Sequence, residues 1–201
     1  MKKIALSVVT IATMSSLAFA GGDIAPVEPV AVVVDEISPF YMGFALSAVS
    51  TRNSRTSLDF FSDKNGQDRT GDVSVLAGYD FNEYIALEGR YMTSIFDEDY
   101  LARSSWGIYA KPQYPVTEAF SVYALLGYGG MRVNGKGRSF NHVNETGFQW
   151  GIGVSYAVSD HADVFFDYVN IANDMDADVF LGSPFEEVDS DAVTVGVTYN
   201  F

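Results

Sequence analysis

The chain has 201 residues, a formal net charge of −14 at pH 7 and no cysteine. So acidic a chain lacks the basic footprint that a nucleic-acid partner requires, and without thiols its stability cannot come from disulfides. Hydrophobic residues make up 48% of the sequence, yet beyond residue 20 no run reaches the eighteen apolar residues of a spanning helix.

Residues 1–20 read as a secretory signal. Lys2 and Lys3 provide a charged start, Ile4 to Phe19 an apolar run, and Ala18-Phe19-Ala20 a small-x-small cleavage site. The run is too short and wrongly flanked for a membrane helix, and with no Cys after the cleavage site a lipid anchor is not expected. Losing Lys2 and Lys3 takes the net charge from −14 to −16. Residues 21–38, with Pro26 and Pro29 among small and β-branched residues, read as an extended periplasmic linker.

From residue 39 to 201 the pattern is alternation with a period of two, the mark of a strand with unlike faces. Phe40, Met42, Phe44, Leu46 and Ala48 oppose Gly43, Ala45 and Ser47. Val73, Val75, Ala77, Tyr79 and Phe81 form the second apolar face; Ile85, Leu87, Gly89 and Tyr91 the third, against Ala86, Glu88 and Arg90. Trp106, Ile108, Ala110 and Tyr114 oppose Gly107, Tyr109, Lys111 and Gln113. Val122, Ala124, Leu126 and Tyr128 oppose Ser121, Tyr123 and Gly127. Phe148, Trp150, Ile152, Val154 and Tyr156 oppose Gln149, Gly151, Gly153 and Ser155. In the seventh segment Val164, Phe166 and Tyr168 oppose Phe165 and Asp167. The last runs through Val193, Val195, Val197, Tyr199 and Phe201, with Thr194, Gly196, Thr198 and Asn200 behind. A soluble sheet would leave that final strand as a sticky edge, whereas lipid outside and a polar lumen inside need this pattern. The predicted fold is an all-β, eight-stranded antiparallel transmembrane β-barrel of up-and-down topology.

The connections alternate in length. Asn82-Glu83, Pro115 to Ala119 and Ser159 to His161 are short, whereas Thr51 to Thr70, Asp97 to Ser104, Asn134 to Thr146 and Ala172 to Ser190 are long and polar. Short turns belong on the periplasmic side and long loops outside, which puts both termini in the periplasm. Tyr79, Phe81, Tyr114, Phe120, Tyr156, Tyr199 and Phe201 gather toward the short turns; Tyr91, Trp106, Tyr128, Trp150 and Tyr168 lie toward the long loops, as two interfacial belts. Pro112 interrupts the fourth segment, and strand four is expected to end or bulge there.

Together with the strand count and the closing Val193-Thr194-Val195-Gly196-Val197-Thr198-Tyr199-Asn200-Phe201, the segment Lys111-Pro112-Gln113-Tyr114-Pro115-Val116 and the run Val122 to Gly129 resemble the outer-membrane β-barrel domain family. That family takes in the OmpA transmembrane domain, OmpX and the Opa-like proteins, and the likeness spans roughly Pro39 to Phe201. It implies a cell outer-membrane location in a Gram-negative cell, with outer-membrane lipids and lipopolysaccharide as surroundings. It also implies Tyr199 and Phe201 as a C-terminal signal for the barrel-assembly machinery. There is no room for the peptidoglycan-binding domain of full-length OmpA proteins, so cell-wall anchoring is not expected.

An eight-stranded barrel is only wide enough for side chains to fill it. The inward set holds Glu88, Arg90, Tyr109, Lys111, Gln113, Tyr123, Gln149 and Asp167, two acids and two bases among polar partners. Mutual pairing as a plug is favoured over a gated ion path, because unpaired burial of charge is costly. Asp174-x-Asp176-x-Asp178 spaces carboxylates like the start of a calcium loop, but Val179 and Phe185 stand where Gly and Glu belong. Asp97-Glu98-Asp99 lacks even the spacing, so both runs read as solvated surface. Basic residues Arg52, Arg55, Lys64, Arg69, Lys136 and Arg138 fall in loops one and three, where they suit lipopolysaccharide phosphates. His142 and His161 sit at opposite ends of the predicted barrel and share no site. Gly127-Tyr128-Gly129-Gly130 has no following helix, so close strand packing explains it better than phosphate binding. No catalytic residue, metal or cofactor is expected. The favoured function is a non-enzymatic barrel presenting surface loops, for envelope integrity, adhesion or contact with a host or cell-surface ligand. A narrow porin-like diffusion channel comes second and a lipid A-modifying enzyme third.

Overall fold

A computed structural model describes residues 38–53, 58, 67–97, 101–135, 143–180 and 183–201. Eight strands run in chain order: β1 (Phe40–Asn53), β2 (Gln67–Asn82), β3 (Ile85–Asp97), β4 (Leu101–Pro115), β5 (Phe120–Gly135), β6 (Val143–Ala157), β7 (Ala162–Phe180) and β8 (Ser183–Asn200). Each pairs antiparallel with its neighbours in sequence, and β8 pairs with β1 from Tyr41↔Asn200 to Asn53↔Val188, closing the barrel. Closure leaves no edge, which the apolar, aromatic-ended β8 could not tolerate alone.

The period-two pattern divides the wall as the alternation requires. Phe44 (65% exposed), Phe148 (61%) and Ile152 (59%) face outward, while Gln149 between the last two is fully buried. β7 follows the same rule, with Val164 and Phe166 exposed and Phe165 and Asp167 buried. A greasy exterior around a partly polar interior inverts a soluble fold, and hydrocarbon is the solvent that suits it. The strands have 13 to 19 residues, more than the roughly 9–11 that cross the hydrocarbon, so their long-loop ends rise beyond the apolar band.

The short turns are shaped by side-chain caps. Asn82 Oδ1 accepts from the Tyr84 and Ile85 amides at 2.8 and 3.1 Å, placing the first turn at Glu83-Tyr84, one residue later than expected. Thr117 Oγ1 accepts from the Phe120 amide at 2.9 Å, and Val158 donates its amide to Ala162 O at 2.9 Å. On the exposed first turn, the hydrogen bond that the Tyr84 phenol donates to the Glu83 carboxylate holds that phenol above its ordinary pKa.

Two expectations are corrected. Strand four neither ends nor bulges at Pro112: β4 continues to Pro115, and its register with β5 is the same at Ala110↔Leu126 and Gln113↔Tyr123. Only the pairing between those positions is missing. The Gln113 amide donates toward β3, to Tyr84 O at 2.8 Å, so the Pro112 nitrogen faces β5 and costs one ladder bond while the flanking pairs hold the alignment. The second correction concerns the fourth long loop. β7 runs to Phe180 and β8 starts at Ser183, paired through Met175↔Val188, Ala177↔Glu186 and Phe180↔Ser183, with register shifts around Ala172. Outside the bilayer a hairpin needs no apolar face, because ladder hydrogen bonds suffice and polar residues are tolerated on both sides. Asp174, Asp176 and Asp178 therefore lie on extended backbone, not on a loop that wraps an ion.

Candidate functional site: the filled lumen

Inward positions from all eight strands converge on a layered interior. At the short-turn mouth a space of about 380 Å³ is lined by Tyr41, Asp80, Lys111, Gln113, Asp163 and Asn200, among others. Gln113 Nε2 donates to Asp80 Oδ1 at 2.9 Å, and Asn200 Nδ2 donates to Asp163 Oδ2 at 2.8 Å. Gln113 therefore belongs to this mouth rather than to the charge cluster above it.

That cluster is built on Glu88, 1% exposed. Its Oε1 accepts from Arg90 Nε at 2.6 Å; its Oε2 accepts from Tyr41 Oη at 2.7 Å and Lys111 Nζ at 3.1 Å. Arg90 reaches on to Asp167 Oδ2 at 2.8 Å, which also accepts from Tyr123 Oη at 2.8 Å. Aromatic faces complete the shell. Lys111 Nζ lies 4.6 Å from the Tyr123 ring centre, and the Arg90 guanidinium 5.4 Å from that of Phe165. Tyr109 donates to Gln149 Oε1, and Gln149 Nε2 donates to Ile171 O at 2.9 Å. Seven of the eight expected lumen residues thus fall into two linked tiers, ion pairs below and an amide–phenol pair above. Two acids against two bases leave the buried charge balanced, the condition under which such burial is tolerable.

Toward the long loops an apolar layer joins further buried polar pairs. Leu125, Val169, Ala192, Val49, Met131, Ile171 and Val188 point inward on β5, β7, β8 and β1 and are 0–2% exposed. Ser47–Thr194 and Thr51–Ser190 hydroxyl pairs cross the β1–β8 seam at 2.9 and 3.1 Å, and Arg103 is ion-paired with Asp72. Sequence reasoning placed Ser47 and Thr194 on the inner face but missed the others. Leu125 hides inside an apolar run, Val122 to Leu126, where either face looks greasy, and Arg103 falls within the predicted long loop Asp97 to Ser104. The signal that could have found Arg103 is the alternation itself, which continues through Arg103, Ser105 and Gly107. Tyr41 follows in the same way from the β1 alternation through Gly43, Ala45 and Ser47.

Two glycines make room for the cluster. A Cβ on Gly153 would lie 2.5 Å from Tyr123 Cζ and 2.6 Å from Asp167 Cβ, and one on Gly107 would collide with Tyr109 and Gln149. An apolar concavity of about 680 Å³ lies instead on the outer wall, beside Pro112, Ala124, Ile152 and Phe166; it faces lipid.

The other sequence candidates are dispersed. His161 Nδ1 lies 2.9 Å from Asn200 O, and its ring stacks on Tyr199 at 5.7 Å. His142, Arg55, Lys64, Lys136, Arg138, Glu98 and Asp99 lie outside the described residues. Arg52 is ion-paired with Asp189 at 3.2 Å and with Asp191. Tyr199 and Phe201 are exposed on the outer wall, their rings edge to face at 5.4 Å. Among the described residues no three His, Cys, Asp or Glu side chains are grouped to hold a metal.

A closed, eight-stranded, side-chain-filled barrel with a lipophilic exterior defines the class of small outer-membrane barrels. The model of the outer membrane protein beta-barrel domain family matches residues 5–201, and the chain belongs to that family. Solved structures share the fold. Neisserial surface protein A, from Neisseria, is 18% identical at a TM-score of 0.56, covering 83% of this chain and 100% of that one. The attachment invasion locus protein Ail of Yersinia pestis is 16% identical at 0.54, covering 81% and 97%. The outer membrane protein OprG from Pseudomonas aeruginosa is 15% identical at 0.50, covering 82% and 97%. No curated protein matches the sequence.

Proposed function

We propose that this protein is a non-enzymatic scaffold that presents its long loops at the cell surface for adhesion, ligand contact or envelope integrity. The observation that carries the reading is the lumen, where paired charges and an apolar layer occupy the bore. A filled lumen turns the barrel into a rigid support and leaves the loops as the adaptable surface. In Ail the same fold was crystallised in complex with the heparin analogue sucrose octasulfate. Residues 1–20 serve as the export signal in this reading, residues 21–38 as a periplasmic linker, and Tyr199 with Phe201 as the assembly signal. An intact mass starting at Gly21 is the check on the first of these. Deleting the tips of loops one and four is expected to leave the heat-dependent gel shift of a folded barrel intact and to abolish binding of whole cells to a target surface. Undiminished binding by the deletion variant would sink the proposal.

A further inference from the structure

The outer wall of β3–β6 changes character in three steps toward the long loops. In register across the four strands, one lateral row is Gly89–Ile108–Tyr128–Phe148, the next is Tyr91–Trp106–Gly130–Thr146, and the third is Thr93–Ser104–Arg132–Asn144. The sequence passes from apolar to aromatic to hydrogen-bonding, with a single cation. Trp106, Tyr128, Thr146, Arg132 and Asn144 are all exposed. Gly130 forms the recess between them: a Cβ there would stand 2.8 Å from Trp106 Nε1 and 3.1 Å from Thr146 Cγ2, so the indole nitrogen leans across the glycine. Tyr128 Oη and Thr146 Oγ1 share a 2.8 Å hydrogen bond on the same surface.

Arg132 stands apart from the cation on the opposite wall, because the outward Arg52 is neutralised by Asp189 and Asp191. No carboxylate occurs in the three rows around Arg132. Its nearest acidic neighbour in sequence on β6, Glu145, takes the lumen side opposite Met131. Trp106, Tyr128 and Thr146 thus meet around Gly130, and the register sets Arg132 and Asn144 one row further toward the long loops, where the apolar band ends. That donor set suits a phosphate monoester, and a guanidinium prefers such planar two-point contacts.

We propose that this face binds the phosphorylated headgroup of an outer-leaflet glycolipid, lipid A, with Arg132 as its principal contact and an acyl chain lying over Ile108 and Phe148. The choice of leaflet rests on the scaffold reading, in which the long loops face outward; the binding itself does not. The test uses the full mature protein in detergent, with bound lipid counted by native mass spectrometry after titration with doubly phosphorylated lipid A, dephosphorylated lipid A or phosphatidylglycerol, and with inorganic phosphate as competitor. Lipid A is expected to bind best, to lose about tenfold in affinity in Arg132→Gln, a 1.4 kcal/mol effect, and to recover part of it in Arg132→Lys. Trp106→Phe, which keeps the ring and loses the donor, should cost about threefold and serves if the first variant folds poorly. The proposal is overturned by equal binding in Arg132→Gln, by equal binding of dephosphorylated lipid A, by phosphatidylglycerol binding as tightly, or by displacement with millimolar phosphate. Conductance and loop-deletion results do not enter this measurement, so its failure leaves the scaffold reading standing.

Discussion

At the scale of single residues, Arg90 is the hinge of the interior because, among the described residues, it alone contacts both Glu88 and Asp167. Replacing it with Ala leaves Asp167 with only a phenol donor and Glu88 with only Lys111 and Tyr41. Removing one partner from a buried ion network typically costs about 3–5 kcal/mol. Arg90→Ala is therefore expected to lower the urea midpoint of the refolded barrel by that equivalent, and a loss under about 1 kcal/mol would mean the pairing is dispensable. Residue-level legibility was uneven. Glu88, Arg90, Lys111 and Asp167 were readable because a charge on the polar side of an otherwise regular strand has nowhere to go but the lumen. Leu125 and Met131 were not, because an apolar residue suits either side of a membrane barrel and only the register decides.

At the scale of elements, alternation located every strand, while strand ends followed a different physics. Hydrocarbon enforces the apolar face only across the bilayer; beyond it, the β7–β8 hairpin continues on backbone pairing through Ala177↔Glu186, with no hydrophobic signal to read. Pro112 shows the complementary error. Its missing N–H predicts an end or a bulge in β4, yet the register on either side is unchanged, since one lost ladder bond is small beside the closed sheet. Pro112→Val restores that donor toward β5 and keeps an outward apolar side chain. It is expected to raise unfolding stability by about 0.5–1.5 kcal/mol, the net worth of one hydrogen bond, measured as a shift in denaturant midpoint at unchanged slope. A decrease would show that the strand gap is held open by something other than proline.

For the whole molecule, wall chemistry carries more than charge distribution. Outside residues 1–20, every Lys and Arg except Arg90 and Lys111 belongs to the long-loop half of the chain's segments, whereas the short turns carry Glu83, Glu118 and Asp160. The same half also holds most of the chain's carboxylates, among them Asp97, Glu145, Asp189 and Asp191, so charge does not distinguish the two ends, and the proposed orientation rests on the short turns and long loops. The fold was legible because lipid on one side and a narrow bore on the other leave so little freedom to sequence. The role was not, since one barrel shape hosts many functions. What separates a scaffold from a channel is whether the filled lumen conducts, and purified protein in a planar bilayer decides it. The account predicts a flat current trace at physiological salt, with no sustained unitary steps; reproducible discrete openings that change in Arg90→Ala would contradict it.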